Sequence, residues 1–523
     1  MKKKIRKNKA LGRRRAAFPT RFIVCGILIL LQILLTFSLA SALGETFIYS
    51  QVLSTIFSVA VLLYMLNKDE PAAHKLVWAV VLTVLPVFGA IIYCMFGNPQ
   101  QTRKAKKRFS AVNKEAALYL KSDELTMKKL EETSEEGASL AKYLDKVCNI
   151  PPYKNTDSKY YPSGEAFFAD LLSDIEKAKR YIFLEYFIIT PGEIWNKIHN
   201  ALVDRAMAGV DVYIMYDDIG SMKKTPAKFD AEIRKESINC FKFNKISPIP
   251  TTLHNNRDHR KIAVIDGKIA YTGGVNIADE DANIEKPFGH WKDSAIRISG
   301  EAVDGFVFMF TQLYNIFATE PLDPAEFLAT HEYATDNGFI QPYGDGPKPM
   351  YNDYIGKNLY LGIINSAKKY LYIATPYLIC GYEVEEAMIF AAKRGVDVRI
   401  ITPHIPDKKT VFTMTRSSYA KLIDGGVKIY EYAPGFIHSK IVVADDELAV
   451  IGTVNFDYRS FVHHYECGTL ICKAACIKDI KDDVLSTCLK EGIMQTKESA
   501  KLNFREKIVK TVKSTGAVVS GPV

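Results

Sequence analysis

His259 and Lys261 stand two residues apart, and so do His438 and Lys440. Each pair opens the pattern HxKxxxxD, which closes on Asp266 in one place and Asp445 in the other. The correspondence runs further. Gly273 and Gly452 each lie 14 residues after their histidine, and Asn276 and Asn455 each lie 17 after. Four chemical types at matched offsets mark an internal repeat. On an extended strand, residues two apart share a face, so each histidine projects beside its lysine. The apolar runs 262–265 and 441–444 keep those strands in a core, and the asparagine can return to the same face one strand later. Two copies related by a pseudo-twofold therefore offer one site with two imidazoles, two ammonium groups and two amides. A histidine that merely caps a sheet edge accounts for one copy but poorly for two, because inward-facing polar groups need partners or a task.

Two lysines and two amides suit a tetrahedral anion, with phosphate the natural candidate. No spacing of Asp, Glu or His suggests a bound metal, and no cofactor is expected, so the imidazoles must carry the chemistry. One can attack phosphorus as a nucleophile and form a phosphohistidine. The other can protonate the departing alkoxide and then deprotonate an incoming hydroxyl. The two need opposite protonation states, which neighbouring carboxylates can bias.

The repeat extends to the elements that position these groups. Residues 174–180 lead into the apolar strand Tyr181-Ile182-Phe183-Leu184, and a helix then leads to Gly209 and the strand 210–215. In the second copy Ser366-Ala367-Lys368-Lys369 leads into Tyr370-Leu371-Tyr372-Ile373, and Gly395 precedes the strand 396–401. Strand, helix, strand in this order predicts right-handed crossovers and a mainly parallel sheet. The expected class is α/β, as two α/β/α sandwich repeats.

The 523 residues carry a net charge of +9, yet residues 1–21 hold ten basic residues and no acidic one, which leaves the remaining chain at −1. A near-neutral body fits poorly with a nucleic-acid groove. The nine cysteines include no CxxC pair, and Cys467, Cys472 and Cys476 read as ordinary thiols. Behind the basic tail come three uncharged apolar runs, 22–43, 47–66 and 76–96, which predict two to three transmembrane helices and a multi-pass protein of the cell membrane. Ala40-Ser41-Ala42 resembles a signal cleavage site, but the apolar run before it is too long for a usual signal core. The basic tail predicts a cytoplasmic N-terminus, and the cluster Arg103, Lys104, Lys106, Lys107, Arg108 asks for the same side. Three crossings oppose that and two satisfy it; the short link Gly44-Glu45-Thr46 allows a re-entrant hairpin instead. Residues 101–145 read as a solvated helical connector.

The paired motif resembles that of the phospholipase D superfamily over roughly residues 150–497. More closely, the chain is similar to bacterial cardiolipin synthases. That likeness rests on the stretches 71–78, 85–89 and 93–97 of the membrane end, on Tyr216-Asp217-Asp218-Ile219-Gly220-Ser221, on His290-Trp291-Lys292-Asp293 and on Asn455-Phe456-Asp457-Tyr458-Arg459-Ser460-Phe461. The resemblance implies a metal-free ping-pong transfer: one phosphatidylglycerol phosphatidylates a histidine and releases glycerol, and a second takes the group to give cardiolipin. It assigns His259, Lys261, Asp266, His438, Lys440 and Asp445 to catalysis, with His259 as nucleophile by analogy. Asn276 and Asn455 hold the phosphate, and the carboxylates that orient the histidines fall on Asp293 and Glu466. Phosphatidylglycerol and anionic membrane lipids are the expected partners; a homo-oligomer is allowed but not required. The motif is blind to the acceptor, so a membrane-bound phospholipase D hydrolase or a transferase to another alcohol stays open. The chain departs from the family at His463-His464-Tyr465-Glu466, where an Asn usually precedes the aromatic-Glu pair. There His464 reads equally as a replacement contact and as a surface residue. The expected division is a tail 1–21, a membrane module 22–97, a connector 98–149, phospholipase-D-like domains 150–335 and 336–497, and a tail 498–523.

Overall fold

The computed structural model describes residues 46–68, 72–96, 123–245, 255–318, 320–331 and 338–502, with a few single positions besides. The chain forms two compact units, one built on residues 1–99 and the other on most of the rest. In the first unit, helices α1 (Thr46–Leu66), α2 (Ala72–Val84) and α3 (Pro86–Phe96) pack on one another. Trp78 and Tyr93 meet edge to face at 5.3 Å inside this bundle, while Leu53, Ile56, Phe57 and Leu63 of α1 point outward. Among the described residues no helix is long and apolar enough to cross a membrane. Polar Ser50, Gln51, Ser54, Thr55 and Ser58 interrupt α1. The run expected at 76–96 is two short helices meeting at Leu85-Pro86, where the ring of proline disfavours helix for the residue before it. Apart from isolated positions, the basic tail, the run 22–43 and the cluster 103–108 lie outside the described residues.

In the second unit, strands β1 (Thr156–Tyr161), β2 (Tyr181–Tyr186), β3 (Asp211–Asp217), β4 (Asn239–Phe243), β5 (Lys261–Ile265) and β6 (Ile269–Gly273) join β8 (Ala295–Gly300) in a sheet ordered β1-β8-β6-β5-β2-β3-β4. The short β7 (His290–Lys292) stands apart. The second sheet contains β9 (Phe339–Asp345), β10 (Tyr370–Ala374), β12 (Asp397–Pro403), β13 (Lys428–Tyr432), β15 (Ile441–Ala444), β16 (Leu448–Gly452), β18 (Glu466–Cys472) and β19 (Gly492–Met494). Its order is β9-β18-β16-β15-β10-β12-β13-β19, the same plan with one strand added at the edge. Two further pairs, β7 with β14 (Gly435–Ile437) and β11 (Leu378–Ile379) with β17 (Phe456–Asp457), are parallel.

The internal repeat is thus real in three dimensions, but its sheets are mixed rather than mainly parallel. Within the two large sheets, parallel pairing is confined to β2-β3-β4 and β10-β12-β13, the strands joined through helices. The motif strands return through tight turns, and a short turn can only make an antiparallel pair. The helix Val303–Phe317 buries Phe306, Val307, Phe308, Met309, Phe310 and Leu313. Such an all-round apolar helix belongs in a core. The connector is not wholly solvated: helix Glu135–Cys148 buries Ala138, Ala141 and Leu144 against the body, a face that its charged residues conceal in composition. Cys148, Cys240, Cys380, Cys467, Cys472, Cys476 and Cys488 are free and buried.

Candidate active site

Both histidines sit just before a buried motif strand, and each is held by the opposite repeat. The His259 backbone N–H donates to the Tyr465 carbonyl (2.9 Å), and that of His438 donates to the Lys292 carbonyl (2.7 Å). The next residue in each case supplies the carboxylate. His259 Nδ1 lies 2.8 Å from Glu466 Oε2, and His438 Nδ1 lies 2.6 Å from Asp293 Oδ2. The pairing is crossed: Glu466 of the second repeat orients the histidine of the first, and the reverse holds for Asp293. A proton on each Nδ1 satisfies the carboxylate and leaves Nε2 with a free lone pair. Lys261 Nζ donates to the His259 carbonyl at 2.7 Å, and Lys440 Nζ makes the equivalent bond to His438. Asn276 and Asn455 are buried with Oδ1 unpartnered, so each amide can be turned to present its NH2 to an anion. The motif glycines let the strands approach. A Cβ on Gly273 would lie 2.4 Å from the Ser294 carbonyl oxygen, and one on Gly452 would lie 2.4 Å from that of Cys467.

Burial and the two lysines set the charge state. Burial and then Lys261 and Lys440 hold His259 well below the ordinary histidine range. Burial, with Lys440 next, pushes His438 down to about 4. Burial lowers Lys261, and it brings Lys440 to about 7, with Asp293 pulling the other way. Burial alone would raise Asp293, yet its partner His438 and the nearby Lys440 keep it below its usual value. With both imidazoles neutral, Lys261 and Lys440 stand against the Glu466 and Asp293 carboxylates and are the cationic groups that an incoming anion would meet. Two donor sets are close enough to hold a metal, His259/His464/Glu466 and Asp281/Asp293/His438, with donor atoms within 4.8 Å of one another. Both already spend atoms on imidazole–carboxylate bonds, and the flanking lysines favour an anion.

The two aspartates of the motif bond to backbone at turns, away from the imidazole–carboxylate pairs. The Asp266 carboxylate accepts the backbone N–H groups of Lys179 (2.8 Å), Arg180 (2.7 Å) and Tyr181 (3.1 Å). Asp445 does the same for Lys368 (2.6 Å), Lys369 (2.8 Å) and Tyr370 (2.9 Å). Both follow the far end of the motif strand, roughly 20 Å of extended chain from their histidines. Both adopt positive φ, 56° and 57°, where a short polar side chain is tolerated. They fix the turn that starts β2 and β10.

Further side chains flank the two pairs. Trp291 flanks His438 with ring centroids 5.2 Å apart, and His464 flanks His259 at 5.3 Å. Each stands two residues before its carboxylate, a symmetry that the offsets from Asp293 and Glu466 could have revealed. His464 is buried, which removes its surface reading. Thr453 Oγ1 donates to Glu466 Oε2 at 2.5 Å. At the equivalent position stands Gly274, where a Cβ would lie 2.0 Å from Asp293 Oδ1. Beneath the first histidine, Arg257 clasps Asp217 at 2.8 Å, and Arg260 Nε donates to the Glu466 carbonyl at 3.2 Å.

Comparison with known proteins places this geometry. The family model described as "Cardiolipin synthase, PLD-like domain" matches residues 171–286 and 360–486, and "Phospholipase_D-nuclease N-terminal" matches 55–98. A cardiolipin synthase of Geobacillus sp. strain WCH70 is 33% identical over 81% of this chain and 84% of its own. Cardiolipin synthase 2 of Bacillus cereus is 32% identical, covering 82% of this chain and 84% of its own. The crystal structure of phosphatidylserine synthase from Haemophilus influenzae Rd KW20 superposes with a TM-score of 0.57 at 15% identity, covering 74% of this chain and all of that one, a likeness of fold. With its two phospholipase-D-like repeats, the chain belongs to the cardiolipin synthase family.

Proposed function

We propose that the protein is a cardiolipin synthase that transfers a phosphatidyl group between two phosphatidylglycerol molecules. The observation that carries the reading is the crossed pair of neutral imidazoles, each with Nδ1 on a buried carboxylate, beside two buried lysines. In the first step Nε2 of one histidine bonds to phosphorus as the bond from phosphorus to the glycerol headgroup oxygen breaks. The other imidazolium gives its proton to that oxygen, and glycerol leaves. In the second step the now neutral imidazole takes the proton of a headgroup hydroxyl on another phosphatidylglycerol. That oxygen bonds to phosphorus, the phosphorus–nitrogen bond breaks, and cardiolipin is released. The acid needed in the first step arises on binding: the phosphodiester charge beside the imidazole opposes the burial and the lysine charges that otherwise keep both histidines neutral. Lys261, Lys440, Asn276 and Asn455 hold the phosphoryl oxygens and stabilise the charge that develops on them.

The N-terminal segments belong to the same reading, as a multi-pass membrane module 22–97 with two to three spans, preceded by a cytoplasmic basic tail 1–21. The outward apolar face of α1 and the match of residues 55–98 support it. The repeated strand order supports domains 150–335 and 336–497, with a connector 98–149 before them and a tail 498–523 after. The test is product analysis by mass spectrometry of purified full-length protein with labelled phosphatidylglycerol in mixed micelles containing EDTA. Cardiolipin with free glycerol, both lost in His259→Ala and His438→Ala, is the expected result. Phosphatidic acid alone means a hydrolase, and no product overturns the proposal.

A further inference from the structure

The two halves of the site match closely except around Glu466. Asp293 uses Oδ2 for His438, and its Oδ1 accepts the Ser294 backbone N–H at 2.7 Å, so both oxygens are fixed. Glu466 uses Oε2 for His259 and for Thr453, while its fully buried Oε1 has no hydrogen-bond partner. The group facing that oxygen is His464 Nδ1, at 3.4 Å, on a buried ring neither of whose nitrogens is bonded. An unsatisfied carboxylate oxygen and an unsatisfied imidazole N–H are each costly when buried, and these two face one another. The backbone that carries the ring is held, because the His464 and Tyr465 N–H groups donate to the carbonyls of Arg459 and Arg257.

We infer that His464 is a positioning residue: its Nδ1–H closes onto Glu466 Oε1 and completes the support of the carboxylate that orients His259. In the other half a backbone N–H has this duty, and Trp291 at the matching position makes no polar contact with Asp293. Burial drives His464 down to about 3, so the ring is neutral at working pH with a single N–H to give. With Oε1 held, Oε2 stays aimed at Nδ1 and His259 keeps Nε2 free. Without it the carboxylate can rotate and the tautomer is no longer fixed.

The inference rests on the proposed phosphatidyl transfer for one readout and is independent of it for the other. Full-length wild type, His464→Phe and His464→Asn are compared; Phe fills the space without a donor, and Asn restores an amide N–H. In micelles of phosphatidylglycerol, His464→Phe is expected to lower kcat about tenfold with KM nearly unchanged, as for the loss of one charge-assisted hydrogen bond. His464→Asn is expected to recover most of kcat. Separately, in histidine-labelled protein without substrate, the downfield Nδ1–H proton resonance that His259→Gln removes is expected to persist in His464→Asn. It should broaden or vanish in His464→Phe. Equal kcat in all three proteins, or equal impairment of Asn and Phe variants with unchanged melting temperature, overturns the role in turnover. An unaltered resonance in His464→Phe overturns it even if the wild type makes no cardiolipin, whereas an absent product with a lost resonance sinks only the transfer reading.

Discussion

The crossed carboxylates look interchangeable, yet the structure predicts unequal responses to the same isosteric change. Asp293→Asn is the severe one. Its Oδ1 is committed to the Ser294 N–H at 2.7 Å, so the new amide must keep its oxygen there. The amide nitrogen then occupies the Oδ2 position, 2.6 Å from His438 Nδ1, and donates where a carboxylate accepted. That moves the imidazole proton to Nε2 and removes the lone pair needed for either catalytic role. Rotation cannot relieve it, because Asp293 packs where even a Cβ on Gly274 would lie 2.0 Å away. Wrong-tautomer variants of carboxylate–imidazole pairs lose about 10⁴ in kcat, and that is the expected scale here. Glu466→Gln is milder. Its Oε1 faces His464, whose neutral ring can move its proton to Nε2 and accept at Nδ1, so the amide can keep its oxygen toward His259 and Thr453 and turn its nitrogen to His464. Only the charge is lost, roughly 1.5–3 kcal/mol for one hydrogen bond, or about 10- to 100-fold. Initial rates of cardiolipin and glycerol release from labelled phosphatidylglycerol, with melting temperature as a folding control, measure both variants. If Glu466→Gln falls as far as Asp293→Asn, or if Asp293→Asn keeps more than about a tenth of the wild-type rate, the argument from fixed oxygens fails.

Asp266→Ala, which removes three backbone hydrogen bonds from a turn at positive φ, should lower unfolding stability by about 1–3 kcal/mol in denaturant titration. Its kcat in the folded protein should change less than about twofold; a thousandfold loss at unchanged stability would return Asp266 to the chemistry. Assayed without lipid, the protein should lose stability as pH falls from 6.5 toward 4, since unfolded His438 binds a proton near 6.5 and folded His438 only near 4. The slope from this group approaches about 1.4 kcal/mol per pH unit, and His438→Gln should flatten the acid limb of a melting-temperature series accordingly. Lys440 predicts a second limb: with a folded value of about 7 against 10.5 unfolded, stability should rise between pH 7 and 10. Inorganic tungstate or phosphate, which re-protonates this lysine by pairing with it, should therefore raise the melting temperature more at pH 7.5 than at pH 9.5. An equal shift at both values would separate anion binding from Lys440.

The limits of sequence reading here are physical. Matched offsets reveal the repeat because each copy is one local run of strand and turn, and the paired strand orders β1-β8-β6-β5-β2-β3-β4 and β9-β18-β16-β15-β10-β12-β13 follow from it. The same constancy does not by itself give Asp266 and Asp445 a role. Their fixed distance from the histidines reflects the length of one core strand, a spacing that a turn residue keeps as faithfully as a catalytic one. The mainly parallel sheet was an over-reading of the strand–helix–strand segments; Asp266-Gly267 was already a hairpin signal, and β5 and β6 do pair antiparallel. What no offset carries is which repeat serves which histidine. That is fixed by two contacts across more than a hundred residues, β7 beside β14 and Asp258 beside Tyr465, which bring Lys292-Asp293 to His438 and Tyr465-Glu466 to His259. Crossing has a consequence of its own. Neither repeat holds a complete histidine–carboxylate pair, so a chain cut between the repeats can recover activity only when both halves are present and docked.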